Sequence, residues 1–153
     1  MLAGGLLLGA CGFTPAYGPG GAATALRDRI ALFTPDDLPG FALRNALADR
    51  LGDNPGGSYA LAVTLTQNQT AAAIDSDGVT TRVTLVGEAT WTLTDRATGA
   101  TLGTGAVDNF TAYFATGTTV ATEAAARDAS DRLAVILADT ITADLILLAS
   151  DLP

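Results

Sequence analysis

At 153 residues with 48% apolar side chains, the chain suits one domain with its own hydrophobic core and is neither disordered nor a polytopic membrane protein. Its formal net charge is −8, all 8 cations are Arg, and there is no His; this excludes a cationic nucleic-acid surface and adsorption to anionic headgroups by charge alone. The same composition removes the usual general bases, the Schiff-base lysines and the strongest metal ligands.

The longest strongly apolar stretch, Met1 to Ala10, is too short to span a bilayer, which needs roughly 20 apolar residues. It reads instead as the apolar region of a secretory signal ending in small residues. Leu8-Gly9-Ala10-Cys11 resembles the lipobox of bacterial lipoprotein signals: an aliphatic residue, two small ones, then Cys. That resemblance implies diacylglycerol transfer to the Cys11 thiol, cleavage before Cys11, and acylation of the new amine, typically with palmitate. Several acyl chains, at about 0.8 kcal/mol per buried CH₂, hold a protein firmly to a bilayer. Cys11 is the single cysteine, so no intramolecular disulfide forms. No Lys or Arg precedes the apolar run, and the expectation is a true start farther upstream. The alternative is an ordinary N-terminal core segment with a buried Cys. Gly12, rather than Asp, follows Cys11, which suits sorting to the outer membrane.

Residues 12–24 are rich in Gly and Pro without periodicity and read as a tether. Phe13 and Tyr17 lie in it, either facing headgroups or a partner, or as partly solvated linker aromatics. The chain thus divides into a leader at 1–10, a lipidated tether at 11–24 and a single domain at 25–153.

Within the domain, residues 29–33 form a short apolar run, a candidate strand. Thr34-Pro35-Asp36-Asp37 supplies helix-start chemistry, and Pro39 sets the continuous helix at about 39–51. Leu43, Ala46, Leu47 and Leu51 fall at helical spacing, and Gly52 is the natural stop. From Ser58 the period becomes two: Tyr59, Leu61, Val63 and Leu65 share a face, while 68–73 is ambiguous. After a turn at 75–78, Val79, Thr81, Val83, Leu85, Gly87, Ala89, Trp91 and Leu93 form one face of a long strand whose other face is rich in Thr. One buried side and one wet side imply antiparallel pairing. A turn at 95–99 leads into a strand at 101–114, with Leu102, Ala106, Phe110 and Phe114 at even positions as its apolar set. The last element, about 120–149, carries Ala121, Ala125, Ala129, Leu133, Ile136, Leu137, Ile141, Leu145 and Leu148 on one stripe, with i,i+4 pairs Glu123–Arg127, Arg127–Asp131 and Asp128–Arg132 on its flank. The order β-α-β-β-β-α predicts an α+β two-layer sandwich, a four-stranded mostly antiparallel sheet covered on one face by two helices.

A search for chemistry finds no catalytic triad, P-loop or nucleophile elbow. Asp75-x-Asp77-Gly78 lacks the twelve-residue ligand set of a calcium loop and reads as a solvated turn. The expectation is therefore no enzyme, no metal and no cofactor beyond the lipid on Cys11.

Cys-Gly-Phe-Thr-Pro-Ala-Tyr-Gly at 11–18 resembles the start of mature lipopolysaccharide-assembly lipoproteins of the LptE type. Leu43-Arg44-Asn45-Ala46-Leu47 resembles that family's first helix, and Tyr113-Phe114 with 124–132 resembles the approach to its last. The resemblance implies an outer-membrane lipoprotein on the periplasmic side. It would assist assembly of the LptD β-barrel, plug its lumen and support lipopolysaccharide transport to the surface. Arg82, alone among the Thr residues of the wet face, is the candidate for direct lipopolysaccharide contact. With no Lys and scattered Arg, a cationic clamp on lipid A phosphates is hard to build, so plug and scaffold are favoured over strong binding. Phe13 and Tyr17 would then position the plug. The competing reading is an unrelated periplasmic binding or pilotin-like lipoprotein.

Overall fold

A computed structural model describes residues 26–149. Cys11, Phe13 and Tyr17 lie outside the described residues. Six elements follow in order: β1 (Ile30–Phe33), α1 (Leu38–Leu51), β2 (Tyr59–Ile74), β3 (Thr80–Asp95), β4 (Thr101–Phe114) and α2 (Thr119–Ala149). The strands form one sheet in the order β1-β2-β3-β4. The crossover through α1 returns the chain to the end where β1 began, so β1 and β2 pair in parallel, Ile30 opposite Tyr59. Tight turns make the other two pairings antiparallel. The α+β order and the mostly antiparallel sheet are those read from the sequence.

α1 starts where its chemistry says it should. The Asp37 side chain accepts from the Gly40 N–H at 2.8 Å, and Pro39, in the first turn, gives up a donor that has no intrahelical partner anyway. Leu43, Ala46, Leu47 and Leu51 are buried as their spacing predicts. Gly52 ends the helix at φ 76, ψ 170, a region essentially reserved for glycine. A Cβ there would also lie 2.2 Å from Asp28 Oδ1. Gly52→Ala is expected to lower stability by about 1–3 kcal/mol, the usual range for such backbone strain, read as a shifted urea midpoint with unchanged slope.

The ambiguous stretch 68–73 is strand. β2 runs on to Ile74 and pairs with β3 as far as Thr80, with a bulge between Ala71 and Ala73. Beyond Gln67 the residues of β2 are exposed on both faces, where β1 no longer pairs with it and it forms the edge of the sheet.

The phase of β4 differs from the expectation. Val107, Thr111 and Tyr113 are its buried residues, opposite Ala89, Leu85 and Val83. Phe110 and Phe114 point to the uncovered side, each 67% exposed. Side chains alternate along a strand, so pairing with β3, whose odd residues face the helices, sets the face of every β4 residue. Two inward positions of β4, Gly103 and Gly105, carry no side chain because large neighbours fill the space. An added Cβ on Gly105 would fall 2.5 Å from the Trp91 ring, and one on Gly103 would fall 2.6 Å from Leu148.

α2 buries Ala129, Leu133, Leu137, Ile141 and Leu145, as its stripe predicts, and also Ala134, Ala138 and Thr142. The stripe is wider than the sequence suggested because α2 packs on both the sheet and α1, with Arg50 and Asp139 bridging the helices at 2.5 Å. The Thr142 hydroxyl is satisfied by donating to the Ala138 carbonyl at 2.7 Å. On the exposed flank Asp128 pairs with Arg132, and Arg127 with Glu123 at 3.9 Å.

Candidate partner interface and anchor end

With both helices on one side, the other side of the sheet is left uncovered. Even-numbered residues of β2 and β3, and those of β4 from Thr104 on, line it, and Thr is the commonest among them; Thr64 and Thr90 share a cross-strand hydrogen bond at 2.6 Å. Three features depart from a plain wet face. First, Phe110 lies opposite Val86, and Phe114 lies opposite Arg82, whose guanidinium stacks over the ring at 5.7 Å from its centroid. Second, Glu88 and Asp108 face each other directly, a like-charge pairing that costs stability in isolation. Third, Arg82 makes no ion pair among the described residues, although five other arginines do. Two exposed rings, a guanidinium with no carboxylate partner among the described residues and a facing acidic pair together make a surface suited to contact.

The two ends of the sheet differ. The distal end carries the Asp75–Val79 turn, the end of β4 and the start of α2. The Asp75 carboxylate there accepts from the Asp77 and Val79 N–H groups at 3.0 and 2.9 Å. That geometry is a turn, as expected; the described residues hold no group of three or more His, Cys, Asp or Glu side chains placed to share a metal ion. The opposite end is where the described chain begins, at Leu26, and it carries the Asp95–Gly99 turn. Backbone and side-chain hydrogen bonds from Thr98, with a further one from the Ala97 N–H, hold the Asp95 carboxyl below the usual carboxylate range. A lowered pKa means that this contribution to the turn is present at neutral pH and is lost only as pH falls through the lowered value.

Between the start of α1, the middle of β2 and α2 lies a groove of about 400 Å³ bordered by Leu38, Gln67, Gln69 and Ser130. Gln67 accepts from the Ser130 hydroxyl at 3.0 Å, and its buried amide nitrogen has no partner. No helix among the described residues is long and apolar enough to cross a membrane.

Of the residues singled out from the sequence, Arg82 is on the uncovered face as its alternation predicted. Sequence reasoning missed Phe110 and Phe114 as surface residues, since apolarity alone assigned them to the core. The Glu88–Asp108 pairing was also hidden, because it exists only once the β3–β4 register is known.

Known proteins resemble this architecture. A crystal structure of a lipoprotein from Caulobacter crescentus superposes with TM-score 0.71 at 25% identity, over 86% of this chain and 97% of that one. Rare lipoprotein B from Shewanella oneidensis matches with TM-score 0.59 at 12% identity, over 80% and 96% of the two chains. A minor lipoprotein from Acinetobacter baumannii matches with TM-score 0.56 at 20% identity, over 77% and 90%. None of the curated proteins matches the chain significantly. The sequence profile of the LptE lipopolysaccharide-assembly family matches residues 25–145, which takes in all six elements up to the last turn of α2. The chain therefore belongs to the LptE family of lipopolysaccharide-assembly proteins.

Proposed function

We propose that this domain is an assembly scaffold and plug for an LptD-type outer-membrane β-barrel, held on the periplasmic side of the outer membrane by lipid on Cys11. The role is non-catalytic: the domain presents a surface rather than a reacting group. The observation that carries the reading is the uncovered sheet face, with Phe110 and Phe114 both exposed beside Arg82 on a chain of the LptE family. A barrel wall offering an apolar patch to the two rings and a cation to Glu88 and Asp108 would complement it. The tether aromatics Phe13 and Tyr17 extend the same role toward the membrane.

The test is purification of the native protein from outer membranes. Co-purification of a large β-barrel is expected. Recovery of the protein alone, with normal lipopolysaccharide export in a depletion strain, would overturn the reading in favour of a free-standing lipoprotein. Mass spectrometry of the mature N-terminus is expected to find an acylated Cys11; an unmodified chain retaining residues 1–10 would remove the anchor.

Arg82 is the proposed point of contact with lipopolysaccharide, secondary to the scaffold role. A single guanidinium supplies one charge-assisted pair rather than a clamp. Arg82→Ala is therefore expected to leave the amount of mature barrel unchanged. Loss of the mature barrel in that strain would refute the separation between scaffold and ligand contact.

A further inference from the structure

The end of the sheet nearest the tether holds a shallow concavity of about 640 Å³ bordered by Arg29, Gly57, Ser58, Tyr59, Asp95 and Arg96. This volume falls within the roughly 300–1,000 Å³ range of small-molecule sites. Its two guanidiniums are held in place. Arg96 Nη1 donates to the carbonyls of Pro55 and Gly57 at 2.7 and 2.8 Å. Arg29 stacks over the buried Tyr59 ring, 5.0 Å from its centroid, and donates to the Tyr59 hydroxyl at 3.3 Å. Arg96 makes no ion pair among the described residues. The two carbonyls use Nη1, which leaves Nε and Nη2 for a paired bond to phosphate. Asp95 borders the same concavity, and only its Oδ1 is used by the Ala97 and Thr98 turn bonds.

We propose that this concavity binds a phosphoethanolamine headgroup of the membrane that anchors the chain, its phosphate held by Arg96 and Arg29 and its ammonium by Asp95. Both signs of charge are present within one site, and a net charge of −8 opposes approach to an anionic lipid. A zwitterionic headgroup satisfies both conditions. Position supports the assignment. The Arg29 N–H donates to the Leu26 carbonyl at 3.1 Å, so the site lies where the chain emerges from its tether. Residues 12–25 span at most roughly 50 Å when fully extended, so the site lies within that distance of a lipid on Cys11. Tethering raises the local headgroup concentration, so even an intrinsic affinity of about millimolar would fill the site. The proposal rests on the Cys11 anchor for its supply of headgroups; the chemistry of the site stands apart from the barrel reading.

The test is an NMR titration of the isotope-labelled full chain, in detergent micelles free of phospholipid, with glycerophosphoethanolamine. Inorganic phosphate and glycerophosphocholine serve as parallel probes. Saturating shifts are expected at the Gly57, Ser58 and Arg96 amides. Both other probes should bind at least tenfold more weakly, since phosphate lacks the ammonium and phosphocholine lacks its N–H donors. Arg96→Gln and Asp95→Asn should each weaken binding at least tenfold. Should either variant unfold, the three-probe comparison on the unaltered chain still decides. Absence of saturable shifts, or equal binding of inorganic phosphate or glycerophosphocholine, would overturn the assignment. A positive titration in a protein that fails to co-purify with a barrel would leave this site intact while removing the scaffold role.

Discussion

Replacing Trp91 by alanine is expected to lower the stability of the domain by about 3–5 kcal/mol, the usual cost of truncating a buried Trp. Trp91 is buried in the layer between sheet and helices, with its ring over Gly105 of the neighbouring strand. Its indole N–H points to Asp144 of α2 at 3.4 Å, too long to add much, so the loss is mainly of packing. The gap would open between β3, β4 and α2, and none of the neighbouring backbones can close it without breaking the sheet. A domain with roughly 5–15 kcal/mol of total stability loses a large share of it. Because Trp91 is the chain's one Trp, the measurement is urea unfolding followed by circular dichroism rather than fluorescence. A loss under about 0.5 kcal/mol, the range of surface substitutions, would mean that β3 and β4 do not meet as described. Trp91→Phe should cost visibly less, because it refills part of the volume.

The double variant Phe110→Asp/Phe114→Asp should leave the fold in place and detach the domain from the proposed barrel partner. Both rings are mostly exposed, so removing them takes little from the folded monomer. In a complex that covers them, each contributes roughly 1.5–3 kcal/mol of apolar burial. Losing both weakens binding by about 100-fold or more, at 1.4 kcal/mol per factor of ten. The readout is barrel recovered with the domain, normalised to a melting curve that shows the variant folded. Undiminished recovery would move the contact away from the uncovered face and leave the Thr-rich surface as ordinary wet sheet. Set against Arg82→Ala, the pair separates apolar docking from charge: the scaffold reading requires the first to fail and the second to pass.

Much of this was legible in the amino-acid sequence because local rules were obeyed. Asp37, Pro39 and Gly52 mark the ends of α1 by cap chemistry that involves only nearby backbone. The alternation from Val83 to Leu93 identifies β3 and its inward face, and the long stripe through Leu133, Leu137 and Ile141 identifies α2. The resemblance of residues 11–18 to the start of LptE-type lipoproteins pointed to the same group as the profile match over 25–145.

Tertiary structure alone decided which way β4 faces. Its sequence carries apolar residues on both phases, Phe110 and Phe114 on one, Val107 and Tyr113 on the other, so period two cannot choose between them. The choice comes from the register with β3 and from room: Trp91 and Leu148 occupy the inner side, which admits Gly105 and Gly103 but not a phenylalanine. That steric decision turns two core-like residues into a surface and sets Glu88 against Asp108. Strand pairing likewise brings Arg29 to Asp95 and Arg96, far away in sequence, around one concavity, because the parallel β1–β2 pair begins at the end that carries the β3–β4 turn. Cap and periodicity signals act over a few residues, whereas the surfaces that carry function here arise from strand register and packing across the whole sheet.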